Sequence, residues 1–369
     1  MPSVLPTCVN WLALKNCRAN WHYSYYVILL CSINWKSWRR GQFKRKFALL
    51  AGGASKINGM QHRVLAAISQ SITMNVNGDD EMTTDTLYFA YGSNLNSNDW
   101  QSFCQNYGFP TDVLEPVSPA WLPDYRPIYH YYSGTRQGGA LDVIHSLGQI
   151  TPGMLFRVHG DAWAALDAKE GAPNYYEQRD VTVLNIAGET IPAVTYCVVP
   201  EKRQNEFVQP TDDYMQIVNT GLLAWNLPTT VHTQAAHDES LTFSVQHVFA
   251  YGLLQAEYDL GQSLTGIAQR QPARIHGQIF DLGSYPGWQP STGINDWVHG
   301  ELLTLHQPNA SLQRIDQIEG CSDYSEDALY HRVLVTATTD SGEKVLAWCY
   351  RYAHAIEGQP IEEGCWRVS

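Results

Sequence analysis

Two glutamates, Glu170 and Glu319, end short segments of similar pattern, LDAKEG and IDQIEG, and each carboxylate is a candidate for proton transfer. Trp163, Leu166 and Glu170 are spaced three and four residues apart, which places them on one face of a short helix. A carboxylate on the core-facing side of the last helical turn is desolvated and lies near the negative end of the helix dipole, so its pKa is raised. Such a group is suited to general acid or base catalysis near neutral pH. The alternative is a core glutamate that a nearby Arg or Tyr satisfies.

A strand-like segment that ends in a glycine turn precedes each glutamate. The segments LYFAYGSNLN at 87–96 and HVFAYGLLQ at 247–255 share the letters FAYG. Main-chain N–H groups that converge at a helix start form a concavity for a carboxylate or a developing oxyanion, and a glycine lets a ligand approach the main chain. The N–H groups predicted to do so are those of Gly92, Ser93, Asn94 and Leu95. The alternative is an ordinary strand-to-helix turn with Ser93 or Asn94 as the helix N-cap.

Because the glycine turn and the glutamate recur in the same order, the chain is predicted to contain two copies of one unit. The length of the chain fits two domains. We expect the first domain at 85–228 and the second at 246–369, separated by a polar, uneven linker at 229–245.

The composition indicates a globular protein. The chain has 369 residues, 44% of them hydrophobic and 12% aromatic, which is enough to bury two cores. Residues 82–369 contain 14 basic and 33 acidic residues, and this balance argues against nucleic-acid binding. Nothing after Met82 is predicted to enter a membrane. The eight cysteines show no CxxC pair or metal-ligand spacing, which favours the cytoplasm as the compartment.

The N-terminal stretch differs sharply from the rest of the chain. Residues 1–78 contain ten basic residues and no acidic one. The apolar run at 25–33 is too short to span a bilayer. A transit peptide is one alternative, against which the four tryptophans of the stretch argue. We expect 1–81 to be a disordered extension or an upstream translated segment, with the natural protein beginning at Met82.

The pattern after Met82 predicts many short strands and few helices. This indicates an α+β fold built on a small closed or nearly closed sheet with helices packed outside. A helix at 161–170 is predicted to end at Gly171 in a left-handed conformation. In the second copy one strand is predicted at 274–280. A proline-rich stretch is expected to follow the first helix and to precede the short strands of the first copy; its prolines are Pro110, Pro116, Pro119, Pro123 and Pro127.

Four ordered motifs of the first copy resemble gamma-glutamylcyclotransferase. They are YFAYGSNL, RQGGALDV at 136–143, GMLFRV at 153–158 and LDAKEGAPNYYEQRDVTV at 166–183. The resemblance covers roughly residues 86–230. The second copy is similar to the shorter gamma-glutamylamine cyclotransferase-like branch, through VFAYG, ARIHGQIFDLGSYPG at 273–287, VHGELLTL at 298–305, IDQIEG and AWCYRY. That branch usually has a small hydroxyl residue after the glycine of the turn, where this chain has Leu253.

The resemblance implies two tandem small β-barrels with flanking helices, no metal or organic cofactor, and a small-molecule γ-glutamyl substrate. The implied reaction is attack of the substrate's α-amine on its own γ-carbonyl, which yields 5-oxoproline and releases an amine or amino acid. Glu170 holds the family's catalytic position, and Glu319 is its counterpart in the second copy. The implied substrate-binding residues are Tyr91, Gly92, Ser93, Asn94 and Leu95 in the first copy and Tyr251, Gly252, Leu253 and Leu254 in the second. Tyr176 is a further candidate for substrate contact, with ordinary packing as its alternative.

Two other functions fit the same pocket. The chain could transfer the γ-glutamyl group to water or to another amine, or it could bind a γ-glutamyl ligand without turnover. We also expect the two domains to pack on each other.

Overall fold

The computed structural model describes residues 86–322 and 324–367, so the N-terminal extension predicted at 1–81 lies outside the described residues. Strands and helices of the first half follow one another as β1 (Leu87–Ala90), α1 (Ser97–Tyr107), β2 (Leu114–Ser133), β3 (Gly138–Val158), α2 (Ala162–Glu170), β4 (Tyr176–Leu184), β5 (Thr190–Val198), α3 (Asp212–Ala224) and α4 (Thr230–Ala236). Those of the second half are β6 (His247–Ala250), α5 (Asp259–Ser263), β7 (Ile267–His276), β8 (Gln278–Asp281), β9 (Pro286–Gln289), β10 (Trp297–Leu305), α6 (Pro308–Glu319), β11 (Tyr330–Thr339) and β12 (Lys344–Tyr352).

Each half closes five strands into a barrel, in the order β1-β3-β2-β4-β5 and, correspondingly, β6-β10-β7-β11-β12. Both barrels close through a short parallel contact, Tyr88 opposite Val194 in the first and Val248 opposite Trp348 in the second. Each barrel strand therefore has a paired neighbour on both sides. The predicted α+β fold of two small barrels with flanking helices is therefore confirmed.

A glycine in the same place allows the first strand of each barrel to pack closely. A Cβ atom at Gly153 on β3 would collide with the carbonyl oxygen of Ala90, and one at Gly300 on β10 would collide with that of Ala250. Only glycine allows this approach of two backbones. The strand that leads into each glycine turn is thus held against its neighbour by the same device.

The proline-rich stretch that was expected to precede the strands of the first copy lies mostly inside one of them, so this expectation is wrong. Four of the five prolines lie inside β2, which pairs with β3 in one long hairpin. The pairing shifts register between Pro116 and Ser118 and between Pro123 and Tyr125. A bulge leaves a residue outside the ladder and bends the strand, so a proline next to it disturbs the pairing less.

The strand predicted at 274–280 is two strands. Gly277 has a φ of 141° and separates β7 from β8, and β8 pairs with β9 in a two-stranded sheet outside the barrel. A left-handed φ at this value suits glycine alone, and it turns the chain out of the barrel. The resulting hairpin reaches the second site.

The polar stretch predicted as a linker, 229–245, contains a helix. Ala235 and Ala236 of α4 are buried in the core of the first barrel, so this part of the stretch packs on domain 1. Its two alanines present small side chains to the barrel, which apolar periodicity alone did not mark.

The second core includes residues from the first half. Ile150 on β3 and Leu184 on β4 belong to the same buried cluster as the interior of the second barrel. Ala187 forms an isolated bridge with Val335 on β11. Among the described helices, none is long and apolar enough to cross a membrane.

Candidate functional site

Helix α2 presents Glu170 at its C-terminal end, on the side that carries the fully buried Leu166. Gly171 follows with a φ of 65°, the left-handed conformation predicted for it, and its N–H donates to the carbonyl oxygen of Asp167. The helix therefore stops directly after the glutamate. This termination fixes the position of Glu170 in the last turn of the helix.

The glycine turn opposite Glu170 is a short 3₁₀ helix at Ser93–Leu95. Asn96 is the N-cap of α1 and accepts hydrogen bonds from the N–H groups of Asn98 and Asp99, so the interpretation of Ser93 or Asn94 as the N-cap is wrong. The N–H of Leu95 donates to the carbonyl oxygen of Gly92 at 3.1 Å. Leu95 is therefore unavailable for the predicted anion contact, which leaves the three preceding N–H groups.

A side-chain hydrogen bond joins the turn to the glutamate. Nδ2 of Asn94 donates to Oε1 of Glu170 at 2.7 Å and to the hydroxyl oxygen of Tyr88 at 2.8 Å. Oδ1 of Asn94 is buried and has no hydrogen-bond partner in the described part of the chain. The side-chain amide of Asn94 thus connects the glycine turn to the end of α2. Its carbonyl oxygen is left as an unused acceptor.

These groups line a cavity of about 30 Å³. Its lining contains the predicted residues Tyr91, Gly92, Ser93, Asn94, Glu170 and Tyr176. The other lining residues are Tyr88, Leu141, Tyr196 and Tyr214. Leu95, which was also predicted, does not line it and packs in the core, where its carbonyl oxygen accepts from Nε1 of Trp225.

Two predicted tyrosines shape the cavity through hydroxyl groups that the protein already uses. The hydroxyl of Tyr91 donates to the carbonyl oxygen of Tyr196 at 2.6 Å, and that of Tyr176 donates to the carbonyl oxygen of Leu141 at 2.8 Å. Both side chains are buried. Their rings therefore form the walls, and their hydroxyl groups hold the barrel strands around the site.

Nearby groups offset part of the effect of burial on the pKa of Glu170, which stays raised. Burial raises the pKa of Glu170, and Lys169, the hydrogen bond from Asn94, and Arg136 act in the opposite direction. Lys169 and Arg136 both bind the carboxylate of Asp99, Lys169 at 2.5 Å and Arg136 at 3.0 and 2.8 Å. Two cations share one carboxylate beside Glu170, so the surroundings favour its ionised form more than burial alone would.

One functional candidate was missed because it lies in the predicted linker. Nε2 of His232 on α4 lies 2.9 Å from the carbonyl oxygen of Tyr91, at the start of the glycine turn. Burial lowers the pKa of His232 to about 4, so the ring is neutral at physiological pH and donates from Nε2. Tyr88, Tyr196 and Tyr214 were missed as well, since an aromatic in a strand or helix gives no signal that separates cavity lining from core.

The second barrel has a corresponding cavity of about 100 Å³. All its predicted residues, Tyr251, Gly252, Leu253, Leu254 and Glu319, line it. The remaining lining residues are Phe249, Ala250, Leu260, Tyr285, Pro286, Ile318, Leu329, Tyr330 and Tyr350. The hydroxyl of Tyr251 donates to the carbonyl oxygen of Tyr350 at 2.6 Å, as Tyr91 does to Tyr196 in the first barrel.

The surroundings of the second glutamate differ at two matched positions. Leu254 stands where Asn94 stands in the first turn, and Ile318 stands where Lys169 precedes the first glutamate. The side-chain carboxylate of Glu319 has no hydrogen-bond partner within the residues that the structure describes. Burial, aided by Asp316, raises its pKa to about 8.

The β8–β9 hairpin covers the second glycine turn. A Cβ atom at Gly252 would lie 2.7 Å from Cγ of Pro286, so this glycine is required by the close approach of the hairpin. The hydroxyl of Tyr330 donates to the carbonyl oxygen of Pro286 at 2.5 Å. The hairpin thus supplies a wall of the second cavity.

Comparison with family models places both barrels in one family. The model described as "Gamma-glutamyl cyclotransferase, AIG2-like" matches residues 88–216 and 248–368, well over half of the chain. The protein belongs to this family, with two copies of the family's domain in tandem. The resemblance seen in the motifs of both halves is confirmed.

Solved structures give weaker likenesses. A structure named "Gamma-glutamyl cyclotransferase" is 22% identical, covers 42% of this chain and 89% of its own, and has a TM-score of 0.35. An AIG2-like protein from Mus musculus is 18% identical, with coverages of 30% and 79% and a TM-score of 0.25. A gamma-glutamyl cyclotransferase specific to glutathione from yeast is 11% identical, with coverages of 42% and 98% and a TM-score of 0.28. The family assignment rests on the family model alone. No curated protein matches the chain significantly.

Proposed function

We propose that the protein is a gamma-glutamyl cyclotransferase that converts a γ-glutamyl amide into 5-oxoproline and a free amine or amino acid. The bond between the α-nitrogen and the γ-carbonyl carbon forms, and the bond from that carbon to the leaving nitrogen breaks. The α-nitrogen changes from an ammonium to the lactam N–H and loses two protons, and the leaving nitrogen gains two as it departs as an ammonium group. No redox change or co-reactant is needed, because both reacting groups belong to one molecule.

The observation that carries this proposal is the contact between Asn94 and Glu170 at the wall of the first cavity. A carboxylate held at 2.7 Å by the turn residue lines the same cavity as Gly92, Ser93 and Asn94. In our proposal Glu170 takes a proton from the α-ammonium and returns one to the leaving nitrogen. The turn N–H groups bind the α-carboxylate or the oxyanion of the tetrahedral intermediate.

The roles of the remaining candidates follow from their places in the cavities. We assign Tyr91 and Tyr176 to the shape of the first site, since their hydroxyl groups are already bonded within the barrel. We assign Glu319 the corresponding proton transfer in the second site, with Tyr251, Gly252, Leu253 and Leu254 as its substrate-contacting wall. The first site is the better candidate for turnover, because Asn94 orients its carboxylate.

The organisation of the chain is part of the proposal. We infer that domain 1 at 85–228 and domain 2 at 246–369 stay packed on each other in solution, which the shared buried cluster around Ile150 and Leu184 supports. A small γ-glutamyl compound, rather than nucleic acid or a membrane, is the proposed partner. A cytoplasmic location agrees with the free thiols of the described cysteines.

The experiment is product analysis with γ-glutamyl-alanine, other γ-glutamyl amino acids, γ-glutamyl amines and glutathione. We expect 5-oxoproline together with the leaving amine or amino acid. Free glutamate in its place would indicate the hydrolase alternative, and a new γ-glutamyl amide would indicate the transferase alternative. Binding of these compounds with no product would indicate a γ-glutamyl-binding protein.

Variants then assign the working site. Glu170→Gln is expected to lower turnover at the first site by about 100-fold or more, the usual contribution of a general acid or base. Glu201→Gln is the matched control, since Glu201 is exposed and lines neither cavity. If turnover survives Glu170→Gln and disappears only in Glu319→Gln, the second barrel is the working site.

A further inference from the structure

A buried arginine connects the second site to the first barrel. Arg332 on β11 is almost fully buried, with 3% of its side chain exposed. Its Nη1 donates to Oδ2 of Asp316 at 2.8 Å, and its Nη2 donates to both carboxylate oxygens of Asp124 at 2.6 and 2.5 Å. Asp316 belongs to α6 of the second barrel, whereas Asp124 belongs to β2 of the first. One guanidinium thus joins a carboxylate from each barrel.

Asp124 is held for this contact by the backbone around it. It has a φ of 59° and lies at the register shift between Pro123 and Tyr125, where β2 bulges. The N–H of Gly148, from the paired strand β3, donates to its Oδ1 at 2.8 Å. A Cβ atom at Gly148 would lie 2.9 Å from Cδ1 of Leu312, so the hairpin packs directly on α6. The bulge therefore delivers the carboxylate to the second barrel.

The contact continues from Asp316 to the wall of the second cavity. Oδ1 of Asp316 accepts from the hydroxyl of Tyr350 at 2.7 Å, and the carbonyl oxygen of Tyr350 accepts from the hydroxyl of Tyr251. Tyr350 and Tyr251 both line the cavity. Asp316 also lies one helical turn before Glu319, on the same helix. Its charge and orientation therefore act on the glutamate directly.

The first barrel has a corresponding aspartate, Asp167, but its partners do not connect it to the second barrel. Asp167 accepts from the hydroxyl of Tyr196 at 2.6 Å, as Asp316 does from Tyr350, but its other partner is Nε2 of Gln178 at 2.8 Å. Asp167 and both partners lie in the first barrel. The arginine and the carboxylate from the neighbouring barrel are therefore specific to the second site.

We propose that Asp124 is a positioning residue of the second site: by sharing Arg332 with Asp316, it sets the charge that Asp316 presents to Glu319. The second site is thus complete only when the first barrel is docked on it. This inference rests on the proposed function for its catalytic meaning, although its physical content concerns the ionisation of Glu319 alone.

The sign of the effect follows from the charges. Asp124, Arg332 and Asp316 together carry one negative charge, and neutralising Asp124 leaves the guanidinium to Asp316 alone. The potential at Glu319 becomes less negative, so its pKa falls. The other titratable groups that face Glu319 carry no positive charge; they are Tyr251 after β6, Tyr285 before β9, Tyr330 on β11, and Cys349 and Tyr350 on β12.

The test is a titration of Glu319 in the full chain, by NMR of protein labelled with ¹³C at the glutamate side-chain carboxyl, with Glu319→Gln to assign the signal. In Asp124→Asn the midpoint should fall by roughly 0.5 pH unit or more, the scale of a unit charge acting across a protein interior. Asn tolerates the left-handed conformation and keeps an acceptor for Gly148, so the fold should be retained. Asp124→Ser removes the same charge with a different polar group and should shift the midpoint in the same direction.

Further variants test whether the charge of Asp124 acts on Glu319 through Arg332 and Asp316. Asp124→Glu keeps the charge and should leave the midpoint near that of the parent, and Asp180→Asn, an exposed carboxylate of the same barrel, should leave it unchanged. In an Asp316→Asn background, Asp124→Asn should have a much smaller effect, because the two act through one guanidinium. An unchanged or raised midpoint in both neutral variants, or an equal shift in the Asp316→Asn background, would overturn the proposal.

The titration also separates the two conclusions. If no γ-glutamyl compound gives 5-oxoproline, the proposed function fails while the midpoint shift still decides the role of Asp124. If turnover at the second site is present, the acid limb of its kcat/KM profile, measured in Glu170→Gln protein, should follow the same shift. Turnover with no such shift would remove Asp124 from the site and leave the function intact.

Discussion

The two barrels repeat one frame around two glutamates in different electrostatic surroundings. In both, a tyrosine at the end of the first strand bonds a carbonyl on the last strand, and an aspartate three residues before the glutamate accepts from a tyrosine hydroxyl. Glu170, however, receives a hydrogen bond from Asn94 and has two cations nearby, whereas Glu319 faces leucine and isoleucine at the matched positions.

The comparison shows that the barrel frame positions the carboxylate, whereas the side chains around the carboxylate set its pKa. The hydroxyl-to-carbonyl contacts that close the frame involve main chain and aromatic rings, which the two copies share. The polar groups that compensate the charge lie on side chains outside that frame, at 94 and 169 in the first copy, and these positions differ in the second. In the second copy Arg332 instead neutralises part of the negative charge of Asp316 on α6, and it shares this role with Asp124 of the neighbouring barrel.

The largest effect on stability is expected at Arg332. In Arg332→Ala the carboxylates of Asp316 and Asp124 lose their shared partner inside a mostly buried contact, which should lower the free energy of unfolding by about 3 to 5 kcal/mol. The matched change in the first barrel, Gln178→Ala, removes a solvent-exposed hydrogen bond from the neutral amide to the carboxylate of Asp167 and should cost about 1 kcal/mol. Urea denaturation of both variants checks the contrast, and equal losses would contradict it.

The paired glycines should behave alike if the frame is common to both barrels. Gly153→Ala and Gly300→Ala each place a methyl group against a carbonyl oxygen of the first strand, so each should cost about 1 to 3 kcal/mol. Thermal unfolding measures this. Gly108→Ala is not a suitable control because its φ is positive, and Gly134→Ala, at an open position, serves instead. A large loss in only one barrel would break the equivalence.

Asn94 should separate the two sites in activity. Asn94→Leu gives the first site the residue of the second and removes a hydrogen bond to a charged group, worth about 1.5 to 3 kcal/mol, so kcat/KM should fall by about 10- to 100-fold. The measurement uses Glu319→Gln protein, in which only the first site can turn over. Asn106→Leu, an exposed position on α1, is the control. Unchanged kcat/KM would show that Asn94 does not orient Glu170.

The pH dependence of the two sites should differ. A base must be ionised to accept a proton, so the acid limb of kcat/KM should lie near pH 8 when only Glu319 works and at lower pH when only Glu170 works. Ile318→Lys should move the limb of the second site down by roughly one unit, and Lys169→Ile should move that of the first site up by a similar amount. Coincident limbs in the two single-site proteins would contradict the comparison.

Much of the fold and of the first site was predictable because the signals are local or repeated. Gly171 ends α2 as expected, since a glycine after an apolar helical pattern is a strong terminator. The glycine turns and both glutamates were found through repetition, and all but Leu95 of these predicted residues line the two cavities. Leu95 does not line the first cavity, and its N–H is used by a 3₁₀ turn, whose hydrogen bond depends on backbone angles that residue types do not reveal.

Other parts depend on contacts between distant segments. His232 lies more than a hundred residues after the turn that it contacts, in a stretch whose alanines and polar residues carry no apolar period. The prolines of β2 predict strand breaks from the sequence alone. The register shifts next to Pro116 and Pro123 exist only when β3 is paired with β2. Neither feature has a sequence signal of its own.

By itself, the sequence determined that the chain repeats one unit, that each unit carries a glycine turn and a glutamate at a helix end, and that both copies belong to one family. Local steric preferences and side-chain period suffice for that, because they act between near neighbours. The tertiary structure alone decided which groups surround each carboxylate and that Asp124 reaches the second barrel. Charge interactions depend on distance in space, which residue order leaves open until the barrels close and pack.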